Sequence, residues 1–185
     1  MRRIFGIVSL FLLLVPTFPS SLRSADLKIF QKTLKFTVIH PFKTVNGVCG
    51  EVNITPTTYS TGANGIQLPK AVKIEAPLKE FRSGDENRDS HIIESLGFPE
   101  NQSVSFSSTS IDITDGGWLV SGNLTINGVT KPVKTKANIS SSDGQIEVSG
   151  KFQIKMGEYQ ITPPSLLFAK AKEEVEIEFS FLLKP

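Results

Sequence analysis

From Leu27 onward the apolar residues of this chain recur at every second position, and that period constrains the fold more than any other feature. Alternation places successive side chains on opposite faces of an extended strand, so it specifies strands with one face buried and one in water, not helices. The stretch LKFTVIH sets Leu34, Phe36, Val38 and His40 on one face and Lys35 and Thr37 on the other. AVKIEAPL does the same with Val72, Ile74, Ala76 and Leu78, WLVSGNLTI with Trp118, Val120, Leu124 and Ile126, and QIEVSGKFQIKM with Ile146, Val148, Phe152, Ile154 and Met156. EEVEIEFSFLL sets Val175, Ile177, Phe179 and Phe181 against Glu174, Glu176 and Glu178. VCGEVNI reads as one further strand, with Val48, Val52 and Ile54 on its apolar face and Cys49 facing outward. Two less regular stretches, SVSFSSTSIDIT and PVKTKANIS, bring the strand number to about eight. In the first, the apolar parity shifts between Phe106 and Ile111, the mark of a bulge.

Turn signals separate these stretches at hairpin distances: Asn46-Gly47, Asp115 to Gly117, Asn127-Gly128 and Asp143-Gly144. One-sided strands joined by short turns belong to an antiparallel sheet. With no second apolar segment to cover it, the inner face has to fold onto itself. An up-and-down barrel of about eight strands does so and removes exposed edges, and a two-sheet sandwich satisfies the same pattern. The one helical stretch is RDSHIIESLG, where Ile92, Ile93 and Leu96 share a face, Asn87 or Asp89 serves as N-cap and Gly97 as the stop. The expected class is all-β, an antiparallel barrel with a short helical insert that plugs or covers one end.

No repeat, low-complexity tract or linker divides the 185 residues, which therefore read as one domain. Twenty basic against eighteen acidic residues leave a net charge of only +2, so no nucleic-acid partner is expected. At the N-terminus, Arg2 and Arg3 precede an apolar run over residues 4–15, then Pro16 and small residues. This is the pattern of a cleaved secretory signal peptide over residues 1–25, with the domain occupying 26–185. The run is shorter than the roughly 20 residues of a membrane-spanning helix, and no cysteine marks a lipid anchor at the junction. The mature chain is expected in the periplasm or secreted, without an integral membrane span. Cys49 is the only cysteine, which excludes an intramolecular disulfide.

Arg88, Asp89, Ser90 and His91 concentrate reactive side chains in four positions. Metal binding asks for three or four His, Cys or carboxylate ligands on rigid elements, and His40 and His91 are the only histidines. Nucleophilic catalysis asks for an activated Ser or Cys with an oriented base, and no such elbow motif occurs. The economical reading is structural: Asp89 caps the helix, Arg88 pairs with a carboxylate and His91 is a satisfied, buried or half-buried histidine. No catalytic residue, metal or cofactor is expected.

The order FTVIHPFKTVNGVCGEV, ENRDSHIIES, FPENQSVSFSST, GNLTINGVTKPV and a closing YQI-PPSLLF-EVEIEF resembles the YceI-like secreted proteins of bacteria. The resemblance covers the chain from about residue 27 to residue 183. His40 falls on the histidine of that family's first strand motif, Arg88, Asp89 and His91 on its RDxH motif, and Leu124 to Lys131 on its LTxxGVTK stretch. Two departures stand out: KMGEYQI replaces an RxDFG-like segment, and Val48-Cys49 stands where an aromatic often follows the glycine. The resemblance implies an eight-stranded lipocalin-like barrel whose apolar cavity binds a polyisoprenoid, such as an isoprenoid quinone or a polyprenyl phosphate, with no chemistry on it. The expected cavity lining is Phe36, Val38, Ile74, Leu78, Phe106, Trp118, Leu124, Ile126, Phe152, Ile154, Phe168 and Phe181. The same residues would otherwise make a plain packed core. His40, Arg88 and His91 are the candidate head-group contacts. The alternative is a structural or stress-response, partner-binding barrel with a filled interior, and the less favoured reading is a metal-dependent or hydrolytic enzyme using His40, His91 and Asp89.

Overall fold

The computed structural model describes residues 28–61, 67–143 and 145–184. The expected signal peptide lies outside them. The alternating stretches form β1 (Lys28–His40), β2 (Lys43–Cys49), β3 (Asn53–Thr61), β4 (Gln67–Pro77), β5 (Phe81–Arg82), β6 (Ser103–Thr114), β7 (Gly117–Ile126), β8 (Val129–Ser142), β9 (Gln145–Lys155) and β12 (Glu174–Lys184). One helix, α1 (Glu86–Ser95), follows β5, and a small hairpin of β10 (Ser165–Leu166) and β11 (Ala169–Lys170) precedes β12. Ten strands make one antiparallel sheet in the order β3-β4-β6-β7-β8-β9-β12-β1-β2-β5. The sheet curls, and its two ends, β3 and β5, share no ladder among the described residues. Among those residues no helix is long and apolar enough to cross a membrane.

The strand number exceeds eight for a local reason. VCGEVNI is not one strand: β2 stops at Cys49, and the chain turns at Gly50, whose N–H donates to the Glu80 carbonyl at 3.0 Å, before β3 begins. That break resets the parity, so Cys49 is buried and Val48 is exposed, the reverse of the reading from strict alternation. The two-residue β5 then pairs with β2, Cys49 opposite Phe81. Asn46-Gly47 is also not a turn but lies inside β2, opposite Thr37 and Phe36. A Cβ on Gly47 would collide with the Phe36 ring, so this glycine is there for close cross-strand approach. The turn between β1 and β2 is made by Pro41 and Phe42 instead. Asn127 and Gly128 do form a tight turn, both with positive φ (50° and 72°), the geometry a two-residue hairpin requires. The predicted irregularity in β6 appears as a register shift between Ser108 and Ser110.

The strand directions give the molecule two unlike ends. At one end lie the β1–β2 turn, residues 78–100 with α1, the Asn127-Gly128 turn and residues 156–173 with the β10–β11 hairpin. At the other lie the start of β1, the Asp115-Gly116 turn, Asp143 and the end of β12. Packed apolar clusters occur at the helix end: Cys49, Val52, Ala76, Leu78 and Phe81 form one, and Leu124, Ile126, Ile154, Met156, Tyr159 and Val175 the other.

Candidate functional site

Beyond those clusters the inner face of the sheet is not filled. It surrounds a cavity of about 1280 Å³, larger than the roughly 300–1,000 Å³ of ordinary small-molecule pockets. Phe36, Val38, Ile74, Phe106, Trp118, Leu124, Ile126, Phe152, Ile154 and Phe181 line it. Phe36, Phe106, Trp118 and Phe152 point inward yet remain only half-buried. Side chains facing into a sheet are covered completely when the interior is full. Their partial exposure reports hollow space.

Two expected lining residues are placed elsewhere. Leu78 follows β4 in phase but belongs to a 3-10 turn (Leu78–Glu80) that tucks it between Val52 and Phe81, fully buried and away from the cavity. Phe168 sits at the tip of the β10–β11 hairpin and is 90% exposed, because a two-residue hairpin carries no alternating face into the sheet. Several lining residues were not on the expected list. Val148, Val175, Ile177 and Phe179 share the phase of their neighbours on β9 and β12, so the period already marked them. Ile92 of α1, Leu96 at its C-cap, and Ile161 and Pro164 of the loop before β10 join the lining from outside the sheet, where no period signals it.

Polar lining is concentrated at the helix end: His40, Lys43, Asp85, Arg88, His91, Glu94 and Ser95 all border the cavity there. Asp85, His91 and Glu94 are exposed residues, so the cavity opens to solvent between α1 and the β1–β2 turn. Lys35, the other charged lining residue, turns its ammonium outward to Glu178 at 3.7 Å.

The three candidate head-group residues have distinct surroundings. His40 is buried, accepts from the Phe42 backbone N–H at Nδ1 (3.2 Å) and donates from Nε2 to the Ala169 carbonyl at 3.1 Å. Its proton is thereby assigned to Nε2, and the ring clamps the β10–β11 hairpin to the end of β1. Arg88 is half-buried and pairs with no carboxylate among the described residues. Its Nε and Nη2 donate to the Ser83 hydroxyl (2.8 Å) and carbonyl (2.6 Å). Asp89 receives the Ser83 backbone N–H at 2.7 Å and the Ser83 hydroxyl, so Arg88 and Asp89 together hold the loop before the helix. Arg88 Nη1 makes no hydrogen bond among the described residues, and Arg88 borders the cavity. His91 is not a satisfied histidine: its side chain is 81% exposed, with Glu94 3.7 Å away. His40, His91 and Asp89 are thus engaged with separate partners.

Neither Asn87 nor Asp89 caps the helix. Asp85 does, with extended backbone and a side chain that accepts from the Arg88 N–H at 2.9 Å. That hydrogen bond holds the Asp85 carboxyl below its ordinary range, with the nearby Arg88 and Lys43 charges adding to it. Gly97, at φ 91°, follows the helix as expected. Cys49 donates to the Glu51 carbonyl at 3.1 Å, and burial pushes its thiol up, which makes it a core residue rather than a reactive one.

A curled antiparallel sheet around an apolar cavity, with its charges gathered at one mouth, is a lipocalin-like architecture. The chain belongs to the YceI-like domain family, whose profile matches residues 27–183. Over 103 residues it is 33% identical to a UPF0312 protein of Serratia proteamaculans (strain 568), covering 50% of this chain. The match spans about half the length of that relative, 51%. Among solved structures, BcnA of Burkholderia cenocepacia superposes with a TM-score of 0.70 at 15% identity, covering 85% of this chain and 99% of BcnA. A polyisoprenoid binding domain from Saccharophagus degradans, implicated in plant cell wall breakdown, gives 0.63 at 14% identity, covering 86% and 97%. The YceI protein of Campylobacter jejuni gives 0.55 at 17% identity, covering 75% and 85%. At these identities the likeness is one of fold.

Proposed function

We propose that this protein holds the hydrocarbon chain of an isoprenoid lipid, an isoprenoid quinone or a polyprenyl phosphate, in its cavity and releases it unaltered. The observation that carries this reading is the half-buried apolar inner face around about 1280 Å³. An apolar wall of that extent facing water is costly, and an apolar occupant removes the cost. Each buried CH₂ contributes about 0.8 kcal/mol, so about a dozen contribute on the order of 10 kcal/mol before association costs. The fold shared with the Saccharophagus degradans domain supports the same class of occupant. The head group sits at the helix end, where Arg88 and Lys43 offer positive charge and His91 an exposed imidazole. Carriage takes place outside the cytoplasmic membrane, as Arg2, Arg3 and the apolar run over residues 4–15 support.

Protein purified from its host without detergent is extracted with organic solvent and the extract examined by mass spectrometry, while emptied protein is titrated with a prenyl lipid. A prenyl species in the extract and uptake that saturates at one lipid per chain are expected. A clean extract together with no saturable uptake would sink the proposal. Reading the N-terminus of the same protein tests export: a start near Ala25 is expected, and an intact Met1 contradicts it.

A further inference from the structure

The described residues expose eight large apolar side chains, and five of them, Ile39, Phe42, Leu166, Leu167 and Phe168, belong to two segments at the helix end. These segments are the end of β1 with the β1–β2 turn, and the β10–β11 hairpin. They form one patch: the Phe42 and Phe168 rings meet edge to face at 5.7 Å. The hairpin is held in place from both sides, by His40 to the Ala169 carbonyl and by the Lys172 N–H to the Ile39 carbonyl at 2.8 Å. Leu167, 82% exposed, has a φ of 57°, a conformation that a bulky residue adopts at a cost. The chain thus accepts backbone strain to present a leucine to solvent.

We propose that this patch is a membrane-docking tip, which inserts into an anionic phospholipid bilayer and seats the cavity mouth on it. The inference goes beyond lipid carriage and does not depend on the cavity's occupant. Charge supports a bilayer: residues 39–44 and 161–172 contain Lys43, Lys170 and Lys172 and no Asp or Glu. Lys43 faces Asp85 across the mouth, whereas Lys170 and Lys172 form no ion pair among the described residues. Apolar tips flanked by cations bind anionic interfaces by burial and attraction together. Size disfavours a protein partner, since specific protein interfaces use about 20–30 residues a side. Position supports lipid exchange, because Pro164, Ser165 and Leu166 also line the cavity, so the inserted tip is continuous with the route inward.

The test is flotation of the purified protein, its N-terminus read beforehand to establish that residues 1–25 are gone. It is run with vesicles of phosphatidylethanolamine and phosphatidylglycerol, and with vesicles of phosphatidylcholine alone. Binding to the anionic vesicles that weakens with added salt is expected. Leu167→Ser with Phe168→Ser, at positions outside both packed clusters, weakens it by about a hundredfold or more. Ile113→Ser, 66% exposed at the opposite end, leaves it unchanged. The double variant still takes up prenyl lipid delivered from detergent, so loss of docking and loss of carriage are read separately. No binding by the unaltered protein, or equal binding by the double variant, overturns the proposal. So does self-association that the double variant abolishes, which would make the patch a contact between copies of this chain.

Discussion

Leu78 and Phe152 follow the same alternating rule and meet opposite fates. Leu78 lies where the chain doubles back through a 3-10 turn, β5 and α1, so that Cys49, Val52, Ala76 and Phe81 close around it. Phe152 lies on β9, packs against the rim of the other cluster, stays half-buried and borders the cavity. Alternation therefore fixes which side of a strand is apolar. Coverage is decided by the irregular segments laid over the sheet, here residues 78–100 and 156–173.

The sharpest way to break this comparison is to truncate both residues. Leu78→Ala is expected to cost about 3 kcal/mol, because its surroundings are close-packed and relax little around the missing methyls. Chemical denaturation measures the loss, and the extra stability conferred by a saturating prenyl lipid stays as in the unaltered protein. Phe152→Ala is expected to cost less, about 1–2 kcal/mol in the empty protein, since part of its ring already faces open space. It reduces the stabilisation by lipid instead. Equal costs at the two sites, with lipid stabilisation unaffected at both, would erase the distinction between filled and hollow regions.

Two smaller effects sharpen the account of the helix end. Asp85→Ala removes the N-cap of α1 and lowers the melting temperature by about 2–4 °C at neutral pH. The sign with pH follows from the depressed Asp85 carboxyl: its contribution is present above the ordinary carboxylate range and disappears as pH falls through the folded-state value. Melting curves of the two proteins should therefore converge in acid. Tyr159 is fully buried, and its hydroxyl has no hydrogen-bond partner among the described residues. Tyr159→Phe removes that unsatisfied group and is expected to leave stability unchanged or raise it by about 1 kcal/mol, read from the same denaturation curves.

The legible part of the fold was the part with a period. Phe36, Phe106, Trp118, Phe152 and Phe181 could be assigned to the inner face because each lies in a strand long enough to show alternation, and the bulge in β6 showed as a broken parity. Leu78, Cys49 and Phe168 were misplaced where a turn, a strand break and a two-residue hairpin end the period. The bonds of the RDSH cluster were not foreseeable. Arg88 and Asp89 both grip Ser83, five and six residues back, through a loop whose path no local pattern encodes. Whether the interior was hollow was likewise not legible, since the same apolar face lines a cavity or a core.

The central claim, a prenyl chain in the cavity with its head at the helix end, can be tested with the single tryptophan of this chain. Trp118 opens β7 and lines the cavity at the end opposite α1. A prenyl lipid carrying a quencher at its tail should extinguish Trp118 fluorescence saturably at one lipid per chain, and the same lipid labelled at its head should quench far less. Stronger quenching by the head-labelled lipid, or no saturable quenching by either, would contradict it.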